Sequence, residues 1–209
     1  MPVIESIDNI IQLVTTGFCT AFSACRLVAT KKREWAILTL AGAVCFLGDL
    51  YWQLYLLFYG KTPEYSYISY IGWYAGYLFL SLLVVEIRGE RKAKYNRWLF
   101  LVPAFTIGMG IFYLQWGDLI GNIISATLMG ILIWVSVDAL ITAKNDKKKE
   151  SVFLYITILI FCFAEYAMWT ASCFWQGDTF MNPYFWFDIL MSSVFLALPF
   201  ALKKAVKYE

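Results

Sequence analysis

The chain has 209 residues, of which 61% are hydrophobic, 19% aromatic and 15% charged, and its formal net charge is +2. A soluble domain is typically about 45–50% apolar and about 25% charged, so the excess apolar surface calls for lipid as its solvent. The small net charge argues against nucleic acid as a partner. The absence of histidine removes the commonest zinc or haem ligand and the commonest general base. We therefore expect an all-α, multi-pass protein of the cell membrane, without a metal site or cofactor.

Seven apolar segments follow one another, each roughly 20 residues long, which is the length a helix needs to cross a hydrocarbon core about 30 Å thick. Gly72 and Gly76 form a GxxxG pair in the third segment, which predicts close approach of a neighbouring helix. No linker or extramembrane domain interrupts the pattern, so residues 1–209 are predicted to form one bundle of seven transmembrane helices. The segments are about Ile10–Thr30, Trp35–Phe58, Tyr67–Ile87, Trp98–Trp116, Leu119–Ala143, Val152–Trp175 and Phe180–Leu202.

Basic residues are confined to alternate ends of these segments. Of the 17 Lys and Arg residues, all but Lys61 fall on one predicted side of the membrane. The positive-inside rule then predicts that the N-terminus is outside and the C-terminus is cytoplasmic. The residues on the cytoplasmic side are Arg26, Lys31, Lys32, Arg33, Arg88, Arg91, Lys92, Lys94, Arg97, Lys144, Lys147, Lys148, Lys149, Lys203, Lys204 and Lys207.

Five carboxylates lie inside or at the edge of the predicted spans, namely Asp49, Glu86, Asp138, Glu165 and Asp188. Glu86 and Asp138 are near cytoplasmic ends, close to Arg88 and Lys144, where they can reach water or an ion pair. We interpret these two as ordinary charges at helix ends.

The other three acids are deeper. Asp49, Glu165 and Asp188 are nine, ten and eight residues from the outer ends of the second, sixth and seventh segments. At a rise of 1.5 Å per residue, their depths agree within roughly 3 Å, and no Lys or Arg lies at that level. A charge near the bilayer centre costs about 2.5–3.5 kcal/mol, so such residues usually face a cavity or a partner. Because desolvation and mutual repulsion favour the neutral form, we expect at least one acid to be a proton donor near neutral pH.

Aromatic and amide side chains are predicted at the same level. We hypothesise a cavity in the outer half of the bundle, with the acids in its wall and aromatic faces around it. Each aromatic face stabilises a cation by roughly 0.5–2 kcal/mol, which favours either chemistry through a carbocation or binding of a cationic ligand. Alternatively, the acids only hydrogen-bond Tyr, Ser or Gln across helices and lock the bundle. The predicted binding residues are Trp52, Gln53, Trp73, Tyr74, Tyr77, Trp169 and Tyr184.

The stretch TKKREWAILTLAGAVCFLGDLYWQLYLLFYGKTPEYSYISYIGWYAGYLFLSLLVV, residues 30–85, resembles the small membrane-bound terpene cyclases of indole-diterpenoid and meroterpenoid pathways. In that family a basic loop and an aromatic residue precede a second span that carries an aromatic-Glu pair, and a long aromatic third span follows. The acid position matches Asp49, fourteen residues after Trp35, although Gly48 replaces the family's aromatic residue. The later stretch ASCFWQGDTFMNPYFWF is similar to the family's Trp-rich outer loop and Asn-x-Pro start of the last helix. Asp188 lies earlier than the family's acid in that helix.

Two other families share part of the pattern. Residues 46–80, with Gly48, Asp49 and Trp52 before a Pro-containing loop, resemble seven-helix sensory modules that precede bacterial kinase or cyclase domains. Gly48-Asp49 together with ILIWVSVDALITAKN and FAEYAMW is similar to the lysoplasmalogenase family. That resemblance implies a pairing of Asp49 with Asp138, in a family that usually has eight spans.

The leading hypothesis from the sequence is a membrane enzyme that uses acid catalysis on an isoprenoid or lipid substrate. The resemblance to terpene cyclases implies that Asp49 is the proton donor. From their shared level in the spans, we expect Glu165 and Asp188 to adjust its properties. The alternatives are a ligand-binding sensor or small transporter, and a lysoplasmalogenase-like hydrolase. The expected partners are the lipid bilayer and a hydrophobic small molecule, and a sensor would also require a separate signalling partner.

Overall fold

The chain is all-helical in the residues that the structure describes, which are 3–61, 63, 67–89, 97–146, 149–175, 177 and 179–206 of a computed structural model. Within these residues, six helices are long and apolar enough to cross a membrane, which confirms the predicted fold class. The seven α-helices are α1 (Val3–Thr30), α2 (Arg33–Tyr59), α3 (Tyr67–Arg88), α4 (Leu101–Tyr113), α5 (Leu119–Asn145), α6 (Lys149–Phe174) and α7 (Pro183–Val206).

Helix α4 is shorter than predicted. The segment expected as a span over Trp98–Trp116 contains a 3-10 helix, Arg97–Phe100, followed by only 13 α-helical residues. Pro103 has no N–H to donate to the carbonyl of Leu99, so α-helical hydrogen bonding does not extend back through that turn. Thirteen α-helical residues rise about 20 Å and the four 3-10 residues add about 8 Å. The two pieces together therefore approach the thickness of the hydrocarbon core.

Six helices form a closed ring in the order α1, α2, α3, α5, α6 and α7, with α7 returning to α1. Helix α4 lies outside this ring against α5. Its side chains also reach α6, because the rings of Phe105 and Tyr113 both contact Tyr166. The interior of the ring is filled by buried side chains such as Leu38, Leu83 and Phe195.

Glycines bring α2 and α3 close together, as the GxxxG pair predicts. A Cβ atom on Gly72 would lie 2.5 Å from the carbonyl oxygen of Val44, and one on Gly76 would lie 2.5 Å from the Sγ atom of Cys45. Gly48 on α2 packs in the same way against the backbone of Ser69. The helix pair that carries Asp49 and Trp73 is therefore held at backbone contact.

Two pairs of oppositely charged side chains lie at one end of the bundle. Arg88 forms an ion pair with Asp138, and Arg33 lies 3.5 Å from Glu86. These contacts join α2, α3 and α5. Both acids therefore have a basic partner, but Asp138 is buried inside α5 and is not a solvated charge at a helix end. Six of the basic residues on which the orientation rests, Arg91, Lys92, Lys94, Lys147, Lys148 and Lys207, lie outside the described residues. The orientation itself stays a prediction.

Candidate functional site

A cavity of about 770 Å³ opens at the opposite end of the bundle, which we call the outer cavity. All seven helices and the α4–α5 and α6–α7 connections contribute to its wall. Of the ten residues predicted for the site, only Asp188 is not in this wall. The nine that line it are Asp49, Trp52, Gln53, Trp73, Tyr74, Tyr77, Glu165, Trp169 and Tyr184.

Asp49 lies where α1, α2 and α3 meet, and its side chain is only 6% exposed. The Thr16 hydroxyl donates to Oδ2 over 3.1 Å, and the indole Nε1–H of Trp73 donates to Oδ1 over 3.2 Å. Both carboxylate oxygens therefore have a neutral donor from a neighbouring helix. Because Gly48 and Gly72 let α2 and α3 approach closely, the Trp73 indole reaches the acid.

Glu165 is the second acid of the wall and is 3% exposed. The Tyr77 hydroxyl donates to its Oε1 over 2.7 Å, which links α3 to α6 across the ring. The Tyr77 ring contacts the buried Phe161 edge-on, with centroids 5.9 Å apart. The contact with Phe161 thus holds the Tyr77 ring, and its hydroxyl, in place beside the Glu165 carboxylate.

Asp188 is the one predicted acid that does not line the outer cavity. It is 2% exposed and accepts a hydrogen bond of 2.9 Å from Nε2 of Gln12, which itself lines the cavity. Helix α1 packs between α2 and α7, and its Gln12 side chain connects Asp188 to the cavity wall. Asp188 therefore contacts a residue of the wall without lining the cavity itself.

The sequence analysis missed the contribution of α1. Asp8 and Gln12 line the cavity, and Thr16 bonds Asp49. Asp8 is 4% exposed, although it lies close to the outer end of its helix. The three positions follow an i, i+4, i+8 spacing, which places them on one helix face. This polar stripe within an apolar segment was the sequence pattern that could have predicted the part of α1 in the cavity wall.

Aromatic rings make up much of the remaining wall. Trp73 stacks on Phe161 with centroids 6.5 Å apart and meets Phe195 edge-on at 5.9 Å. On the other side, Trp169 meets Tyr113 edge-on at 5.9 Å, and both residues line the cavity. Rings held in this way present fixed faces to the cavity.

The charge balance of the wall is one-sided. The described lining residues include four acids, Asp8, Asp49, Asp118 and Glu165, and no Lys or Arg. Asp118 also caps α5, because its side chain accepts a hydrogen bond from the backbone N–H of Gly121. No group of three His, Cys, Asp or Glu side chains within the described residues is arranged to hold a metal ion. The cavity is therefore acidic and aromatic.

Gln53 is the polar wall residue with an unused donor. Its Nε2 atom is shielded from solvent and has no hydrogen-bond partner among the described residues. It lies one helical turn after Asp49 on α2, and both side chains line the outer cavity.

Asp138 is not part of this wall. It lies 13 residues beyond Ser125, the lining residue of α5 nearest to it, which is about 20 Å along the helix axis. Its carboxylate pairs with Arg88 instead. The pairing of Asp49 with Asp138 that the lysoplasmalogenase resemblance implies is therefore not formed in this structure.

No protein-family model matches the chain, and no curated protein or solved structure matches it either. The multi-pass helical bundle defines the class of the protein as an integral membrane protein. The function has to be argued from the outer cavity.

Proposed function

We propose that this integral membrane protein binds an organic cation in the outer cavity, with Asp49 and Glu165 supplying the negative charge and aromatic rings supplying the contact surface. The observation that carries the proposal is the charge of the wall, which has four acids and no basic side chain among its described residues. A cation that contacts two or three aromatic faces gains roughly 0.5–2 kcal/mol from each.

The size of the cavity favours ligand binding over a purely structural role for the acids. The bonds from Thr16 to Asp49 and from Tyr77 to Glu165 do connect helices. Acids that only locked the bundle would not require about 770 Å³ of space beside them. Pockets for small molecules typically enclose about 300–1,000 Å³. The volume therefore suits a ligand of ordinary metabolite size.

The test is cation binding by the purified protein in lipid nanodiscs, with tetramethylammonium as the probe and calorimetry as the readout. Removing one partner of a buried charge pair costs about 2–5 kcal/mol, so Asp49→Asn should weaken binding by about 30-fold or more. Glu165→Gln should act in the same direction. Unchanged affinity in both variants would refute the proposal.

Glu34→Gln is the matched control. It makes the same chemical change in the first turn of α2, 15 residues and about 22 Å from Asp49. Glu34 is outside the cavity wall, so the affinity for tetramethylammonium should match that of the unaltered protein.

A second candidate is acid catalysis on an isoprenoid, as the resemblance to terpene cyclases implies. Besides reaching Asp49, the Thr16 hydroxyl lies 2.9 Å from the carbonyl oxygen of Gln12. When it donates there, it can accept a hydrogen bond from a protonated Asp49, so this carboxyl can hold a proton beside the cavity. The amides of Asn9, Gln12 and Asn122 in the wall suit a polar ligand better than a hydrocarbon chain, so we rank this candidate second.

The enzyme candidate is tested with a farnesyl compound that carries a terminal epoxide. Asp49 would transfer its proton to the epoxide oxygen, the C–O bond would open, and the carbocation would be captured by an alkene of the same chain. Transfer of a proton from carbon back to the Asp49 carboxylate would then complete the cyclic product and restore the acid. A cyclised isomer detected by mass spectrometry, and absent with Asp49→Asn, supports catalysis, whereas recovery of unchanged epoxide rejects it.

A further inference from the structure

Glu165 differs from Asp49 in how its two carboxylate oxygens are bonded. The Tyr77 hydroxyl donates to Oε1, but no donor among the described residues reaches Oε2. Oε2 is not one of the side-chain atoms that are both shielded from solvent and without a partner, so it is open to the cavity that Glu165 lines. A carboxylate that has lost most of its water and keeps an unbonded oxygen is costly as an anion. With only 3% of its surface exposed, Glu165 is in that position.

Asp49 is better supported as an anion. Both of its oxygens accept hydrogen bonds, from the Thr16 hydroxyl over 3.1 Å and from the Trp73 indole over 3.2 Å. An indole N–H can only donate, so the oxygen that it meets has to be an acceptor. Hydrogen bonds to a carboxylate stabilise its negative charge. Of these two acids, Asp49 is thus the one equipped to stay charged when the cavity is empty.

No basic side chain is available to balance a second negative charge. The ionisable side chains that interact with Glu165 or line the cavity beside it include no Lys or Arg among the described residues. They are Asp8 of α1, Cys45 and Asp49 of α2, Tyr70, Tyr74 and Tyr77 of α3, Tyr113 of α4, Asp118 at the start of α5, Cys162 and Cys173 of α6, and Tyr184 and Asp188 of α7. Ionisation of Glu165 beside a charged Asp49 would therefore add repulsion to the loss of hydration. A proton or a bound cation is what can balance it.

We propose that the outer cavity exchanges a proton for the organic cation, with Glu165 as the group that carries the proton. In the empty cavity the proton is on the Glu165 carboxyl. When the cation binds, the O–H bond breaks, the electron pair stays on the carboxylate, and the proton leaves to water at the mouth of the cavity. One positive charge enters for each one that leaves. The exchange rests on the proposed function, because it requires the cation to bind beside these acids.

The exchange makes cation binding depend on pH in one direction. Because the empty protein holds one more proton than the complex, raising the pH favours the complex. At acidic pH, where Glu165 of the empty protein is fully protonated, the affinity for tetramethylammonium should rise by about tenfold per pH unit. The affinity should level off once Glu165 is ionised in the empty protein as well.

Calorimetry measures the released proton directly. Tetramethylammonium is titrated into the protein in nanodiscs of zwitterionic lipid, in phosphate and in ACES, two buffers with different heats of ionisation. The difference between the two binding enthalpies, divided by the difference between the heats of ionisation, gives the number of protons released. We expect about one proton per cation at about pH 6.

Two variants assign the proton to Glu165. Glu165→Gln has no carboxyl to deprotonate, so its binding should release no proton and should not change with pH. Glu165→Asp keeps an acid at this position and should still release a proton. Glu34→Gln lies outside the cavity wall and should release as many protons as the unaltered protein.

Infrared spectroscopy of the empty protein requires no ligand, so it applies even if Glu165→Gln binds too weakly for calorimetry. The carbonyl band of a protonated carboxyl should be present in the unaltered protein and in Asp49→Asn at about pH 6. The same band should be missing from Glu165→Gln. A band that persists unchanged in Glu165→Gln would show that Glu165 does not carry the proton.

The outcomes distinguish the exchange from the proposed function. If the unaltered protein does not bind tetramethylammonium, the cation site itself is rejected. If it binds with equal enthalpies in the two buffers, the cation site stands and the exchange is overturned. Proton release that persists in Glu165→Gln also overturns the role of Glu165. Release in the unaltered protein and in Glu165→Asp, with the carboxyl band missing from Glu165→Gln, supports the exchange.

Discussion

Trp73 has two functions at the residue scale. Its indole N–H donates to Asp49, and its ring, packed on Phe161 and Phe195, forms part of the cavity wall. The same side chain therefore donates to the acid and presents an aromatic face to the cavity. This arrangement explains how a buried carboxylate is retained without a basic partner beside it.

A substitution series at Trp73 tests this double role. Trp73→Phe keeps a ring but loses the N–H, and Trp73→Leu loses both. Because Trp is the best cation-π partner and a face is worth roughly 0.5–2 kcal/mol, we expect tetramethylammonium affinity to fall in the order Trp, Phe, Leu. The drop to Leu should be about 3- to 30-fold. Equal affinity across the series contradicts a cation over this ring. Trp186→Leu is the control, because this exposed ring is outside the cavity wall.

The position of a residue along a helix could be predicted from sequence, because the rise per residue is constant. Counting from helix ends placed Asp49 and Glu165 at one level, and the structure brings both into the same cavity wall. The direction in which a side chain points around its helix axis depends on packing between helices. Counting residues from a helix end does not describe that packing. For that reason counting could not predict that Asp188 bonds Gln12 of α1 and does not itself line the cavity.

At the element scale, α1 and α4 show two further limits of sequence reasoning. The apolar character of α1 concealed the polar stripe formed by Asp8, Gln12 and Thr16, which depends on spacing and not on composition. The fourth segment had the apolar length of a span. Its α-helix nevertheless begins only two residues before Pro103, and hydropathy does not register a missing N–H donor.

The contact between α2 and α3 provides a prediction at this scale. Gly72→Ala would place a methyl group against the Val44 carbonyl and 3.3 Å from Cα of Gly48, which forces the helices apart. Overpacking of this kind typically costs about 1–3 kcal/mol, so we expect a lower unfolding temperature in detergent and weaker cation binding.

Gly108→Ala is the control for that experiment. A Cβ atom at Gly108 meets nothing within 4 Å, and alanine is favoured over glycine in a helix by about 0.5–1 kcal/mol. This variant should be at least as stable as the unaltered protein. If Gly72→Ala is equally stable, the close contact between α2 and α3 is not required.

At the scale of the whole molecule, the predicted orientation depends on α4. The N-out, C-in topology requires each of the seven helices to cross the membrane, and α4 reaches the needed length only together with its 3-10 turn. If α4 did not cross, α5, α6 and α7 would be inverted. The acidic cavity would then be assembled from opposite sides of the bilayer, which contradicts its single wall.

Labelling with a membrane-impermeant maleimide tests the orientation. Single cysteines are placed at Gln115, Lys31 and Asp146 after the exposed Cys25 and the half-buried Cys173 are changed to Ser. In intact cells we expect labelling at position 115 alone, and at 31 and 146 only after permeabilisation. Labelling at position 146 from outside would show that α4 does not cross.

The central claim is that a cation occupies the outer cavity beside Asp49. Anomalous diffraction from crystals grown with tetramethylarsonium, a heavy-atom analogue of tetramethylammonium, locates such a cation directly. The account predicts an arsenic peak inside the cavity, within about 6 Å of the Trp73 ring and close to the Asp49 carboxylate. A cavity that holds lipid or no arsenic, with the peak elsewhere on the protein, would contradict it.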